Sequence, residues 1–256
     1  MNKYINITAD NIKTEHICCI IRSKKFHPGI AAKKKWLIQR LKEGHVLRKL
    51  DEKTTVYIEY APLESAWVPV IGNNYYYIYC LWVLDHNRRK GYGTELMQYC
   101  IEDAKRNGKS GICMLGAKTQ KSWFSDQEFA KKFGFKVVDE TKNGYQLLAL
   151  SFDNTDPKFF DSAKKEVIEN KELTIYYDMQ CPFIYETVEK TRSYCNENNI
   201  PLNLIEVDSL EKAKNVPCAF NNWAVFYNGK FKTVNLLTVS GIQRIIDKEN
   251  NTITSK

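Results

Sequence analysis

Apolar and polar positions alternate along the chain in stretches of strand and helix length. The best defined unit is an apolar strand that ends at Val83, a short turn, and an amphipathic helix that stops near Gly108. The apolar positions of this helix are Leu96, Met97, Cys100, Ile101 and Ala104.

Up to and including the strand of this unit, the same patterns predict two helices and four strands. Asp10 is a suitable cap for the first helix, which extends through Ile20, and Gly44 follows the second helix, over residues 31–42. The predicted strands cover residues 4–8, 56–60, 66–71 and 75–83.

Beyond the unit, the patterns indicate a strand over residues 111–115, a loop and helix over 123–133, and a hairpin of strands 136–139 and 145–152 around Asn143-Gly144. Polar residues then dominate from 153 to 171. The remaining elements are a strand (173–177), a helix (182–196), a strand (202–207), a short helix (210–214), a hairpin (223–233) and a helix (240–247). We therefore predict one domain over residues 1–155, a linker over 156–170 and a smaller domain over 171–256.

The chain has 256 residues and 43% apolar content, which is enough for one large or two ordinary globular domains with real cores. Its longest apolar runs have strand length, well short of the ~20 residues that span a bilayer, so no membrane partner is expected. The first six residues lack the apolar core of a secretory signal. We therefore expect a cytoplasmic protein.

The net charge of +8 is spread along the chain instead of being gathered in one stripe. The run Lys33-Lys34-Lys35 lies on a helical pattern with Trp36 and Leu37, which is typical of a solvated helix face, so nucleic acid is not expected as a partner. A basic surface also suits a ligand that carries several phosphates.

The eight cysteines include no Cys-x-x-Cys pair, and no histidine stands at zinc-finger spacing from any of them. Most are expected to be small buried side chains in a reducing compartment. No metal site is predicted.

The turn after the central strand has the composition of a phosphate-binding loop. Its sequence is Arg88-Arg89-Lys90-Gly91-Tyr92-Gly93. The glycines permit close approach of a ligand, and successive N–H groups ahead of a helix form an anion-binding concavity that the helix dipole strengthens. The simpler alternative is a connection with solvated basic side chains.

This hexapeptide fits the Arg/Gln-x-x-Gly-x-Gly/Ala pattern of the GNAT acyltransferases, and the order of elements around it is similar to theirs. The resemblance implies an α/β (α+β) fold with a mixed sheet, and acetyl-CoA as cosubstrate. It also implies that the pyrophosphate rests on backbone amides of the turn and that the pantetheine arm pairs with the preceding strand. The coenzyme-binding residues implied in this way are Leu81, Trp82, Val83, Arg88, Arg89, Lys90, Gly91, Tyr92, Gly93 and Thr94.

A closer resemblance covers most of the first 160 residues. The segments Ile58-Glu59-Tyr60-Ala61-Pro62 and Cys80-Leu81-Trp82-Val83 look like the YoaP-like subgroup of this superfamily. The second part, with the order βαβαββα, resembles the small thioredoxin-like C-terminal domain of the same proteins. The resemblance implies an N-acetyltransferase that acts by direct transfer on the amine of a small molecule or peptide, and it leaves the acceptor and the oligomeric state open.

The catalytic groups are less well marked. Glu59 is the candidate general base because its strand borders the expected acceptor cleft, although alternation along a strand favours a solvent-facing glutamate. No acid is assigned, since the tyrosine of many family members is replaced by Ala130 and their asparagine by Trp123. The tryptophans Trp67, Trp82 and Trp123 and the tyrosines of strand 75–83 either line an acceptor pocket or belong to the core.

Cys181 stands just before a helix, where the helix dipole favours a thiolate. The segment Gln180-Cys181-Pro182-Phe183-Ile184 resembles the motif of glutaredoxins, but Ile184 replaces their second cysteine. We therefore favour an inert or binding role for Cys181, with Cys218 folding nearby. The alternative function is an acyl-CoA-sensing thiol redox or binding protein.

Overall fold

The computed structural model describes residues 3–20 and 26–254, and that part of the chain holds thirteen strands and six α-helices. The strands are β1 (Tyr4–Asn6), β2 (Val46–Leu50), β3 (Val56–Pro62), β4 (Val70–Ile71), β5 (Tyr75–Val83), β6 (Gly111–Ala117), β7 (Lys136–Glu140), β8 (Tyr145–Ser151), β9 (Lys158–Phe159), β10 (Leu173–Tyr177), β11 (Leu202–Glu206), β12 (Trp223–Tyr227) and β13 (Lys230–Thr233). The helices are α1 (Pro28–Arg40), α2 (Tyr92–Arg106), α3 (Gln127–Lys131), α4 (Phe183–Glu197), α5 (Leu210–Lys214) and α6 (Val239–Thr254).

Seven strands form one mixed sheet in the order β1-β2-β3-β5-β6-β8-β7. Neighbouring strands are antiparallel except β5 and β6, which are parallel because α2 carries the chain back between them. The apolar face of α2 packs on one side of the sheet through Leu96, Met97 and Cys100, and α1 contributes Trp36 and Leu37 to the cluster on the other side. The mixed sheet expected from the sequence is confirmed.

Four strands of the second half form another sheet, ordered β11-β10-β12-β13. Strand β10 is parallel to β11, which follows α4, and antiparallel to β12. Helices α4 and α6 cover one face of this sheet through Val188 and Ile242. The order βαβαββα agrees with the sequence prediction.

The two sheets share a hydrophobic cluster, so the halves of the chain are packed together. Tyr77 of β5 donates from its hydroxyl to Asn221 Oδ1 at 2.9 Å, and Lys214 Nζ donates to the carbonyl of Leu63 at 2.8 Å. The expected linker is also packed, because Phe159 of β9 is buried and pairs with Val70 of β4. The division at residues 155 and 171 stays a prediction.

The structure departs from the sequence prediction at three places within the first 71 residues. Residues 9–15 form turns instead of a helix capped by Asp10, because the Asn11 side chain bonds the backbone of Asn6 and Thr8 and so competes with helical bonding. The predicted strand over 66–71 shrinks to β4, since Pro69 has no N–H to donate. Strand β2 was not predicted, because charged residues interrupt its apolar pattern. Residues 21–25 lie outside the described residues.

None of the helices among residues 3–20 and 26–254 is both long and apolar enough to cross a membrane.

Candidate active site

Strands β5 and β6 pair only along part of their length. Their parallel register begins with Tyr75 opposite Gly111 and ends with Ile78 opposite Met114, whereas β5 continues to Val83. The strands therefore separate, and the main chain of β5 beyond Ile78 loses its neighbour on that side. Such an edge offers N–H and C=O groups to an extended ligand.

The turn after β5 opens into a cleft of about 730 Å³. Gly91 caps α2 with φ 83°, a left-handed conformation that favours glycine, and a Cβ at Gly93 would meet Phe129 at 3.4 Å. Nine of the ten predicted coenzyme-binding residues line this cleft, and Lys90 is exposed beside it. Lys132 also lines the cleft, and no sequence motif had marked it.

One main-chain donor on the separated part of β5 is already used. The N–H of Leu81 donates to Ser125 Oγ at 2.9 Å. Ser125 is buried in the loop that precedes α3. Its hydroxyl therefore occupies the position that an extended ligand would take beside Leu81.

A second pocket, of about 380 Å³, lies between the two sheets and adjoins the cleft, because Trp82 and Leu84 line both. We call it the inter-sheet pocket. Its walls include Tyr57, Cys80, Trp82, Trp123, Cys181 and Phe183. The large sheet and the second half of the chain both contribute, so the pocket exists only where they meet.

Glu59 of β3 is fully buried at the base of this region. Its Oε2 lies 2.6 Å from Lys33 Nζ and accepts a hydrogen bond from Gln180 Nε2 at 2.9 Å, and its Oε1 lies 3.0 Å from His45 Nε2. Lys33 Nζ also donates to the carbonyl of Gln180 at 2.7 Å. This buried network joins α1, β3 and the second half of the chain.

The network overturns two expectations. A solvent-facing Glu59 was wrong because β3 is an inner strand covered on both faces, so alternation along it does not report exposure to water. A solvated Lys33 was also wrong, because the second half of the chain covers that face of α1 and leaves Lys33 only 1% exposed.

Burial and charge act in opposite directions on these groups. Burial by itself raises the pKa of Glu59 and lowers that of Lys33, but their mutual attraction outweighs it, so the pKa of Glu59 is lowered and that of Lys33 is raised to about 12. Burial lowers the pKa of His45, which is neutral at pH 7. Lys33 and Glu59 are both charged, and the pair has no net charge. The Glu59 carboxylate faces three partners, which leaves it poorly placed to take a proton from a substrate.

The aromatic residues divide between core and pocket. The ring centroids of Trp67 and Trp36 lie 6.1 Å apart, and the main-chain N–H of Trp67 donates to the Tyr79 hydroxyl, so these rings belong to the core. Trp82 and Trp123 line the inter-sheet pocket, where Trp123 meets Phe183 edge-on at 5.4 Å. Ala130, at the position of the family's tyrosine, is fully buried.

Two opposing effects act on the Cys181 thiol, because the start of α4 favours its thiolate and burial disfavours it. Burial raises its pKa well above the usual value, and the neighbouring Cys19 and Cys80 raise it further. Cys218 is buried in the cluster shared by the sheets, beside Glu166, and all eight cysteines are free thiols. Among the described residues, no group of cysteine, histidine or acidic side chains is arranged to hold a metal ion.

Sequence reasoning missed the partners of Glu59. Lys33 was attributed to a solvated helix face, Gln180 was noted only as the residue before Cys181, and His45 carried no motif. Residues 33, 45, 59 and 180 lie on four separate segments, so no local spacing could have joined them. An uncompensated glutamate inside an apolar strand was the one available signal.

Comparison with known proteins gives a consistent result. The family model for the acetyltransferase (GNAT) family matches residues 15–135, and the YoaP-like family model matches residues 201–244. The chain is 34% identical over 246 residues to an uncharacterized N-acetyltransferase YoaP of Bacillus subtilis (strain 168), covering 95% of this chain and 98% of that protein.

Two solved structures are also similar. A GNAT family acetyltransferase from Brucella melitensis in complex with acetyl-CoA aligns with a TM-score of 0.39 at 14% identity, covering 62% of this chain and 95% of its own. The PaiA N-acetyltransferase of Thermoplasma acidophilum, in complex with coenzyme A, aligns with a TM-score of 0.40 at 12% identity, covering 58% of this chain and 99% of its own.

Proposed function

The chain belongs to the GNAT acetyltransferase family as a YoaP-like N-acetyltransferase, and we propose that it transfers the acetyl group of acetyl-CoA directly to an amine held in the inter-sheet pocket. Acetyl-CoA is the cosubstrate. The observation that supports this proposal most strongly is the separation of β5 from β6 beyond Ile78, between the cleft and the pocket.

In this proposal the pyrophosphate binds the main-chain amides between Arg88 and Thr94, where the N-terminus of α2 adds its dipole. The pantetheine arm follows the separated edge of β5 and displaces the Ser125 hydroxyl from the Leu81 N–H. The thioester then reaches Trp82, whose side chain lines both the cleft and the pocket. Main-chain groups thus aim the acetyl group, and side chains receive the acceptor.

Direct transfer needs a neutral amine nitrogen. It attacks the thioester carbonyl, the C–N bond forms, the C–S bond breaks, and one proton passes in total from the nitrogen to the coenzyme sulfur. The described lining of the inter-sheet pocket includes no aspartate, glutamate or histidine. We therefore assign proton removal to solvent and give Glu59 a positioning role, in which it holds Lys33 and Gln180.

The pH dependence of kcat/KM tests this assignment. For an alkylamine with a pKa near that of lysine, about 10.4, the neutral fraction grows tenfold per pH unit. With no enzymic base, kcat/KM should rise about tenfold per pH unit between pH 7 and pH 9. Acetylated amine and free coenzyme thiol should appear in equal amounts. A flat profile over this range would show that a residue of the enzyme deprotonates the bound ammonium.

Kinetic order tests direct transfer itself. Initial rates at varied acetyl-CoA and amine should give intersecting double-reciprocal lines, because both substrates must be bound together. Parallel lines, with acetyl found on Cys181 by mass spectrometry, would favour a covalent intermediate. The thiol-sensing alternative would need a reactive thiolate at Cys181, whereas burial raises the pKa of this thiol.

A further inference from the structure

The inter-sheet pocket is built almost entirely from apolar and aromatic side chains. Tyr57 and Trp82 come from the large sheet, Trp123 from the loop before α3, and Phe183 and Leu236 from the second half. Its volume of about 380 Å³ lies near the lower end of the ~300–1,000 Å³ typical of small-molecule sites. The pocket therefore suits a compact ligand with an apolar body.

The side chains that line the pocket exclude ligands that carry an additional charged group. Lys33 is the only charged side chain among the described residues that line it, and Lys33 is fully paired with the buried Glu59. A ligand with a second ammonium group would lose its hydration there without meeting a carboxylate. A ligand with a carboxylate would compete with Glu59, which already holds the lysine at 2.6 Å.

The polar groups at the base of the pocket are bonded to one another. The Gln180 side chain donates from Nε2 to Glu59 and accepts at Oε1 from Asn222 Nδ2 at 2.8 Å. The main-chain carbonyl of Gln180 accepts from Lys33. The Cys80 thiol accepts from Gln180 Nε2 at 3.5 Å. These groups have few hydrogen-bonding positions left for a polar ligand, so apolar contacts determine recognition.

Building on the proposed function, we propose that the natural acceptor is a compact apolar primary amine, whose only charged or strongly polar group is the nitrogen that is acetylated. The second half of the chain supplies the wall that selects it. Polyamines, aminoglycoside-like polycations and free amino acids are excluded as preferred acceptors by the same wall.

Three amines of equal chain length test this inference: hexylamine, hexamethylenediamine and aminocaproate. They differ only in the far end, which is apolar, cationic or anionic. We expect kcat/KM for hexylamine to exceed that for each of the others on the order of 100-fold, from coenzyme release in the full-length protein, because burying an unpaired charge is costly. Equal or greater activity with the diamine or the amino acid would overturn the inference while leaving acetyl transfer intact.

Activity with none of the three amines would also overturn the inference. Calorimetry with acetyl-CoA then separates the two levels. Coenzyme binding without transfer to these amines would reject only the acceptor class, whereas no coenzyme binding would reject the proposed function as well.

Two sets of variants locate the selecting wall. Phe183→Ala should raise KM for hexylamine about tenfold through lost apolar contact, whereas Tyr185→Ala, on the same helix but outside the pocket lining, should leave it unchanged. Leu236→Asp should raise the relative kcat/KM for the diamine at least about tenfold, and its neutral isostere Leu236→Asn should not. Equal behaviour within either pair would place the acceptor elsewhere.

Discussion

The cleft after β5 and the inter-sheet pocket meet at Trp82, yet they are built in different ways. The cleft is formed mainly by the main chain of one strand end, of a turn with Gly91 at φ 83° and of the start of α2. The pocket is a side-chain device whose walls come from both halves of the chain. A main-chain site tolerates many side chains and serves one invariant ligand, whereas a side-chain site can be specific for one acceptor.

The two regions also differ in how much they contribute to the stability of the fold. In the cleft, the Leu81 N–H donates to the Ser125 hydroxyl, so this main-chain group has a partner that is uncharged. The pocket depends on a buried ion pair, which stabilises the fold only while every partner stays in place. Changes near the pocket should therefore alter stability, and changes near the cleft should alter binding.

The largest effect is expected from breaking the ion pair. Lys33→Met leaves the Glu59 carboxylate buried without its lysine, which should lower the free energy of unfolding by about 3–5 kcal/mol in urea titrations. Lys35→Met, on an exposed position of the same helix, is the control and should change it by less than about 0.5 kcal/mol. Adding Glu59→Gln to Lys33→Met should restore part of the loss. Equal stability of the two single variants would mean that the network does not join the halves.

The cleft is tested by a change at Gly91. Gly91→Glu introduces a strained left-handed residue and a negative charge where the pyrophosphate is expected, so acetyl-CoA affinity should fall at least about 100-fold in calorimetry. Gly108→Glu is a matched control, because Gly108 also has positive φ and open space around it but lies beyond the far end of α2. A similar affinity in both variants would remove the assignment of the turn.

These two regions also differ in what the sequence revealed. The turn, α2 and the length of β5 were predictable, because composition and period act locally along residues 75–106. Only the family resemblance pointed to an open edge on β5, through the pantetheine arm expected to pair with this strand. The partners of Glu59 were not predictable, since Lys33 and Gln180 are 147 residues apart in the hydrogen bond that joins them. Even the burial of Lys33 depends on the second half of the chain, which no pattern within α1 reports.

A third prediction concerns Asp178, which lies two residues before Gln180. Burial raises its pKa to about 8, so the folded protein keeps a proton that the unfolded chain releases near pH 4. Its contribution to stability is complete below that pH and is lost as the pH rises towards 8, at up to about 1.4 kcal/mol per unit.

Asp178→Asn lacks this titration. The free energy of unfolding of the variant, relative to the wild type, should therefore increase between pH 5 and pH 8 and level off above. Asp208→Asn, at an exposed aspartate whose lysine partner lowers its pKa, should show no such trend over this range. Parallel stability profiles for Asp178→Asn and the wild type would contradict a protonated Asp178 in the folded protein.

The smallest effect is expected at Ser125. Ser125→Ala removes the acceptor of the Leu81 N–H, which should lower the stability of the free protein by about 1 kcal/mol. Because the pantetheine arm no longer competes with a hydroxyl, coenzyme affinity should rise several-fold, by about the same free energy. A weaker affinity in the variant would mean that the coenzyme does not replace Ser125 at this amide.

The most direct test is a crystal structure of the full-length protein with acetyl-CoA. We expect the diphosphate to contact the main-chain N–H groups between Arg88 and Thr94, the pantetheine arm to lie along β5 beyond Ile78, and the acetyl carbon to face the inter-sheet pocket beside Trp82. A diphosphate bound elsewhere, or an acetyl group pointing away from that pocket, would contradict it.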